Sequence, residues 1–409
     1  MRAEAPIDDR GGALAGPVAG PGETDTSPSS VGLDGEVSPQ PGNDGIAIVL
    51  GTRPEIIKLA PVIELLGRRA HVVHTGQHFD AAMSDRVSLS MGTRRYRLRL
   101  DVGGKSRGGQ LGAAVAALDR FFSGWRPRAV VVQGDTTSAL AGALAANAGG
   151  HPLLHVEAGL RSYDRRMPEE HNRVLIDHLS DLCCAPTSVS RDNLLAEGIA
   201  PDRIAVTGNT VVEAVAKVLP DTAAREALQR AHGVKENQYV LVTLHRPENV
   251  DAPDMLRTLL TELSRAPLPV LFVVHPRTRS SLVRFGLGPL LAPLRIADPL
   301  DYPEFLALAS GAALLVSDSG GLQEEASILK RPILVVRQST ERPEIQGTFG
   351  ALVPPGERLG HTIRHWLSTA EQRRLRLAGL RCPYGDGHAS HRIVEELRKL
   401  LHDSEDAAR

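Results

Sequence analysis

The sequence predicts an α/β protein made of two doubly wound parallel sheets, each covered by helices on both faces. Short β-branched runs are each followed by a stretch with helical periodicity, the pattern left by strands joined through crossover helices. The alternation restarts after Asn209, so two halves of similar size follow one another. Polar clusters also sit directly behind the apolar runs, where doubly wound sheets bind their ligands.

The elements follow in chain order. Residues 1–43 hold 14 Gly plus Pro, seven acids against two Arg and no aromatic residue. Such a segment buries too little apolar surface to offset its ordering entropy, so a disordered tail is expected. The first strand is expected at Ile46–Leu50. Pro54 and Glu55 then suit the first turn of a helix, and Ile56, Leu59, Ala60, Ile63 and Leu66 share one face of it. Further strands are expected at Ala129–Val132 and Pro152–Val156. A link lies around Gly208–Thr222, where Pro220 and Asp221 break the pattern. The second series comprises Tyr239–Leu244, Val270–Val274, Ala312–Val316 and Ile333–Val336. Gly387 to about His402 reads as an amphipathic helix with Ile393, Leu397 and Leu400 on one stripe. The expected organisation is a tail over 1–43, a first half over 44–209, a second over 210–383 and a flexible end over 403–409.

Composition narrows the function classes. With 409 residues, 42% hydrophobic and a net charge of -1, the chain can bury large cores but lacks the basic excess of a nucleic-acid binder. No apolar run reaches the roughly 20 residues that span a bilayer, and the acids Glu4, Asp8 and Asp9 do not suit a secretory signal. Three cysteines, two of them adjacent (Cys183 and Cys184), make neither a disulfide framework nor a zinc site. A cytoplasmic protein without a metal is expected.

Six polar clusters share one register behind the strands: Gly51-Thr52-Arg53-Pro54-Glu55, Gln133-Gly134-Asp135, His155-Val156-Glu157, His245-Arg246-Pro247-Glu248-Asn249, His275-Pro276-Arg277 and Asp318-Ser319-Gly320-Gly321. One cluster alone would read as helix capping; six in register point to a cleft between the halves. Ser319-Gly320-Gly321 opens a helix, where glycines let backbone N–H groups approach an anion and the helix dipole favours negative charge. Glu325, one turn on, is placed to accept from ribose hydroxyls. Neither GxGxxG behind a strand nor GxxxxGK[ST] is present, so a bound diphosphate would belong to a nucleotide-sugar.

These residues resemble the non-hydrolysing UDP-N-acetylglucosamine 2-epimerases. The motifs are GTRPEIIKLAPVI (Gly51–Ile63), TGQH (Thr75–His78), GDTTSALA (Gly134–Ala141), HVEAGLR (His155–Arg161) and MPEEHNR (Met167–Arg173). VTGNTVVEA (Val206–Ala214), VTLHRPENVD (Val242–Asp251), SDSGGLQEEA (Ser317–Ala326) and TERPE (Thr340–Glu344) continue the series. The resemblance spans roughly residues 45–400. It implies two Rossmann-like domains of the GT-B type with the active site in the cleft, the first completed by a terminal helix at about 384–402. It also implies a homodimer that needs no cofactor and acts on a UDP-sugar. The implied chemistry is anti elimination of UDP to a 2-acetamidoglucal and re-addition, with proton exchange at C2.

Carried over position by position, Asp135, Glu157 and Glu169 match the catalytic carboxylates and share proton transfer at C2. His245 matches the histidine that assists departure of UDP, with Arg53 as a fixed charge on the phosphates. Ser319, Gly320 and Gly321 form the anion-binding turn, Glu325 contacts ribose, Phe305 packs on uracil and Arg342 lies near the sugar. Lys58 and Arg173 are lesser candidates.

Each residue also has a plainer reading. Asp135 suits a helix cap, Glu157 a solvated strand end, and Glu169 the dipole behind Pro168. His245 suits a satisfied strand-end histidine, Phe305 its helix core, and Lys58 and Arg173 simple pairing with acids. Cys183 and Cys184 suit buried small hydrophobes.

The chain departs from relatives that carry an allosteric UDP-GlcNAc site. Asp80 stands three residues after Gln77 where they have glutamine, and Gly103–Gln110 is glycine-rich with Lys105 and Arg107. Weak or no activation at a second site is expected. Arg heavily outnumbers Lys, as in GC-rich bacterial genes, and both envelope-sugar supply and a specialised pathway such as antibiotic biosynthesis stay open. So do a modified substrate of the 2,3-diacetamido type and, from another class, a glycosyltransferase or a nucleotide-sugar sensor without turnover.

Overall fold

The computed structural model describes residues 44–77 and 96–407. The expected tail over 1–43, and positions His78 and Asp80, lie outside the described residues. Among the described residues no helix is long and apolar enough to cross a membrane.

The first sheet has seven parallel strands: β1 (Ile46–Leu50), β2 (Ala70–His74), β3 (Tyr96–Arg99), β4 (Ala129–Gln133), β5 (Leu153–Val156), β6 (Leu182–Ala185) and β7 (Ile204–Val206). Their spatial order is β3-β2-β1-β4-β5-β6-β7. The second has β8 (Val240–Thr243), β9 (Val270–Val273), β10 (Arg295–Ala297), β11 (Leu314–Ser317), β12 (Ile333–Val336) and β13 (Gly350–Val353), in the order β10-β9-β8-β11-β12-β13. Both are doubly wound, and the order reverses between β1 and β4 and again between β8 and β11. A crevice opens at such a reversal because neighbouring connections leave to opposite faces.

Alternation along β1 explains why both faces are covered. Ile46, Ile48 and Leu50 enter the core under helix Arg53–Leu66, while Ala47 and Val49 enter the core beneath helices Arg107–Trp125 and Thr137–Ala148. A fully buried side chain of this kind contributes about 1.5–3 kcal/mol, so a strand buried on both sides holds its register firmly. The second sheet repeats the scheme, with Val240 and Val242 on one face and Tyr239 and Leu241 on the other.

The link Gly208–Thr222 is more structured than a break suggests. It contains helix Val211–Val218, and Asp221 caps the next helix by accepting from the Ala224 N–H. The terminal helix starts at Ala389 and runs to Ala407, past the expected stop near His402, because nothing from Asp403 to Ala407 is Gly or Pro. Residues 403–407 of the end expected to be flexible belong to this helix, and residues 408–409 lie outside the described residues. Its Ile393, Val394, Leu397 and Leu401 join the core of the first sheet.

Candidate functional site

The two reversal points collect the polar clusters. Behind β1, Gly51 has no room for a Cβ, which would lie 2.1 Å from both the Ser138 and the Thr75 hydroxyl. The chain then enters helix Arg53–Leu66 with Arg53 half-buried in its first turn. Glu55 turns inward. Its buried carboxyl accepts from the Gly51 N–H (2.9 Å), the Thr52 hydroxyl (2.8 Å) and the Thr136 hydroxyl behind β4 (2.7 Å). Burial pushes it up to about 7, because these donors are neutral and do not offset the lost hydration.

Asp135 does not cap the following helix. Thr136 does, accepting from the Ala139 N–H at 3.0 Å. The Asp135 carboxylate is thereby left to pair with Arg173, which also meets Glu170 at 2.6 Å and Glu341 at 3.9 Å. Asn172, on the same helix as Arg173, donates to the Asp135 carbonyl at 2.7 Å.

Glu157 follows β5 at φ 68°, a left-handed conformation that is uncommon for a side chain larger than Gly. It is buried, not solvated. Lys58 pairs with it, Arg342 reaches it at 3.2 Å and the Asn209 amide donates to it at 2.9 Å. Burial alone would raise this carboxyl, but Lys58 and Arg342 outweigh it and hold Glu157 below the usual carboxylate range.

The same cations serve Glu324 from the second half. Lys58 lies 2.7 Å and Arg342 2.8 Å from it, and Asn209 donates to it at 3.1 Å. Burial, reinforced by the neighbouring charge of Glu157, pushes Glu324 up. Arg342 also pairs with Glu341, which Arg337 meets at 2.8 Å. Burial opposes the Glu341 charge, yet Arg342, Arg337 and Arg173 together hold its carboxyl well below the usual range. A continuous ion lattice, buried except at the 30% exposed Asp135 side chain, therefore joins Asp135 and Glu157 of the first sheet to Glu324 and Glu341 of the second. Removing one member of such a lattice strands a charge, at about 3–5 kcal/mol.

At the second reversal point, Asp318 behind β11 is fully buried and faces His245 behind β8, whose Nδ1 lies 3.1 Å from an Asp318 oxygen. Ser319 occupies the N-cap position of helix Gly320–Ile328, but its side chain makes no cap hydrogen bond. A Cβ at Gly320 would come within 2.9 Å of both the Arg342 guanidinium and the Glu341 carboxylate, so these side-chain ends would have to shift. Glu325 accepts from the Tyr302 hydroxyl at 2.9 Å, and burial pushes it up to about 7. Phe305 is half-buried and packs on the core of its sheet.

The structure thus gathers Asp135, Arg173, Glu157, Lys58 and Arg342 into one lattice, and His245 with the Ser319–Gly321 turn beside it in sequence through Asp318. Glu169 stands apart, exposed in the first turn of helix Pro168–Leu179. Its neighbour Glu170 takes the buried place, accepting from the Ser162 and Tyr163 N–H groups. Sequence reasoning gave no role to Glu170, Asn209, Glu324 or Glu341. The adjacent acids in PEEHNR and LQEEA were the available signal: consecutive helical residues point about 100° apart, so only one of each pair can share a face with its neighbours. Cys183 and Cys184 are buried in β6, and desolvation raises both thiols.

Comparison with known proteins agrees with this geometry. The family model described as UDP-N-acetylglucosamine 2-epimerase matches residues 66–398. A UDP-N-acetylglucosamine 2-epimerase of Methanococcus maripaludis is 38% identical over 368 residues, covering 85% of this chain and 97% of its own length. The UDP-2,3-diacetamido-2,3-dideoxy-D-glucuronate 2-epimerase of Pseudomonas aeruginosa is 36% identical, covering 87% and 99%. The crystal structure of the Methanocaldococcus jannaschii UDP-GlcNAc 2-epimerase in complex with UDP-GlcNAc and UDP superposes with a TM-score of 0.77 at 37% identity, covering 87% of this chain and 99% of that one. With two Rossmann-like sheets of the GT-B type and similarity of this extent, the chain belongs to the UDP-N-acetylglucosamine 2-epimerase family of isomerases.

Proposed function

We propose that this chain interconverts UDP-GlcNAc and UDP-ManNAc without a cofactor. The C2–H bond breaks as the C1–O bond to the diphosphate breaks. UDP leaves with the bonding pair, and a 2-acetamidoglucal remains with a C1=C2 double bond. A proton then returns to the opposite face of C2 as UDP re-adds at C1. The reading is carried by the ion lattice, which fixes carboxylates from both halves beside the loops that open the two reversal points.

In this reading Asp135, Glu157 and Glu169 share the proton transfers at C2. Arg173 pairs with the Asp135 carboxylate, and Lys58 and Arg342 keep Glu157 in the charged form that a proton acceptor needs. Arg342 lies near the sugar. Arg53, His245 and the Ser319-Gly320-Gly321 turn hold the diphosphate and stabilise the charge it acquires on leaving. Glu325 contacts ribose, exchanging its Tyr302 partner for a sugar hydroxyl, and Phe305 packs on uracil. The halves 44–209, with the terminal helix, and 210–383 close on the nucleotide-sugar and exclude water that would capture the glucal. The protein acts in the cytoplasm as a homodimer.

Incubation with UDP-GlcNAc in deuterated water tests the proposal. Deuterium at C2 in a mixture of two epimers is the expected result; release of UDP and free sugar with no label at C2 would refute it. A second reading, a 2,3-diacetamido uronate substrate, is favoured by the 36% identity to the Pseudomonas aeruginosa enzyme. Label entering that sugar but not UDP-GlcNAc would select it.

A further inference from the structure

Asp318 lies in the SDSGG stretch, and its carboxylate is wholly enclosed. One oxygen, Oδ2, accepts from the His245 N–H (2.9 Å), the Arg246 N–H (2.9 Å) and the Asn249 side-chain amide (2.8 Å). The other, Oδ1, lies 3.1 Å from the His245 ring Nδ1 and 3.1 Å from the His245 N–H. Burial opposes the charge, but the bond to His245 and the backbone donors outweigh it and hold Asp318 below the usual carboxylate range. An ionised carboxylate has no proton to give, so a neutral imidazole facing it must carry its proton on Nδ1. The His245 side chain is 35% exposed, and no group among the described residues bonds its Nε2.

We infer that Asp318 is a positioning residue for His245: it fixes the imidazole as the Nδ1–H tautomer, with Nε2 presented to the leaving diphosphate. The same carboxylate pins the 245–246 backbone, so the ring's orientation and its proton are set by one group across the β8–β11 reversal. When His245 is protonated, Nε2–H donates toward a phosphate oxygen while the charge is shared with Asp318. After that proton is given up, the ring returns to the tautomer that can take it back. This inference rests on the proposed role of His245 at the diphosphate.

Asp318→Asn separates the contributions. Its carbonyl can take the place of Oδ2 and keep the backbone donors, while its amide N–H₂ faces Nδ1 and forces the proton to Nε2. Long-range proton–nitrogen NMR correlations on histidine-labelled protein, with His245 assigned from the signals lost in His245→Gln, read the tautomer directly. Expected are Nδ1–H in the parent and Nε2–H in D318N. The kcat of D318N should fall roughly 100-fold or more, since replacing the acid of an Asp–His pair by an amide installs the wrong tautomer. KM should move less than about threefold, because UDP contacts are retained, and calorimetric UDP binding confirms that the variant is folded. Nε2–H in the parent, or unchanged tautomer and kcat in D318N, overturns the inference. Full turnover in His245→Gln would remove His245 from the proposed mechanism and with it the consequence for kcat, while the tautomer is decided by the spectra alone.

Discussion

The two reversal points solve one structural problem with opposite electrostatics. In the first sheet Glu55 ties the loop behind β1 to the loop behind β4 through Gly51, Thr52 and Thr136. In the second, Asp318 ties the loop behind β11 to the loop behind β8 through His245, Arg246 and Asn249. Both carboxyls are buried, yet burial pushes Glu55 up to about 7 while Asp318 stays below the usual range. The difference lies in the partners. Hydroxyls and backbone N–H groups leave the Glu55 charge largely uncompensated, whereas Asp318 faces a group that can itself become a cation. A buried acid's charge is thus set by what faces it rather than by how deeply it lies.

The largest effect is expected where the first reversal point meets the sugar. Asp135→Asn should lower turnover by roughly 10²–10⁴-fold, the range for a lost proton-transfer group, with UDP affinity kept. Steady-state kinetics with UDP calorimetry checks this, and near-normal turnover would move the proton chemistry away from the β4 loop.

The Glu55–Asp318 contrast should next appear as opposite pH dependence of stability. Glu55 is raised from 4.5 to about 7, so between these values the folded protein holds more protons than the unfolded chain and stability falls as pH rises. Relative to the parent, Glu55→Gln should therefore gain roughly 3 kcal/mol between pH 4 and pH 8, from 1.36 kcal/mol per unit. Asp318 works the other way: its stabilisation is present above its unfolded value of 3.8 and is lost as pH falls through the lower folded value. The stability difference between D318N and the parent should accordingly shrink as pH falls below 3.8. Denaturant midpoints across pH read both slopes, and parallel curves for the parent and Glu55→Gln would break the comparison.

Arg53→Ala should weaken UDP binding and turnover together by about 10–100-fold, the worth of a charged hydrogen bond. Unchanged UDP affinity would assign the phosphates to the second reversal point alone. The smallest effect concerns the chain before Gly45: a protein starting at Asn43 should keep its kcat and KM, and a measurable loss would give that segment a role that neither reversal point explains.

Much of this arrangement was legible in the residues. The seven expected strands appear where their apolar runs stand, while β3 and β6, which hold no β-branched residue, went unread; Arg53, Asp135, Glu157, His245 and Ser319 follow the expected strands because a doubly wound chain places such loops at one edge. The choice between neighbours was not legible. Helical rotation turns Glu170 inward and leaves Glu169 exposed, and it assigns Glu324 to the lattice and Glu325 to Tyr302. Asp135 escaped a capping role because Thr136 took it, a matter of one residue's register.

By itself, then, the sequence determined the alternation of strands and helices, the polar loops behind the strands and the family, since periodicity and motif order are local properties of the chain. Tertiary structure alone decided which acids carry charge. The partners that set it lie far away in sequence, as Arg342 lies 185 positions beyond Glu157, and only the folded packing of two sheets brings them into one water-poor space where a neighbouring cation outweighs the cost of burial.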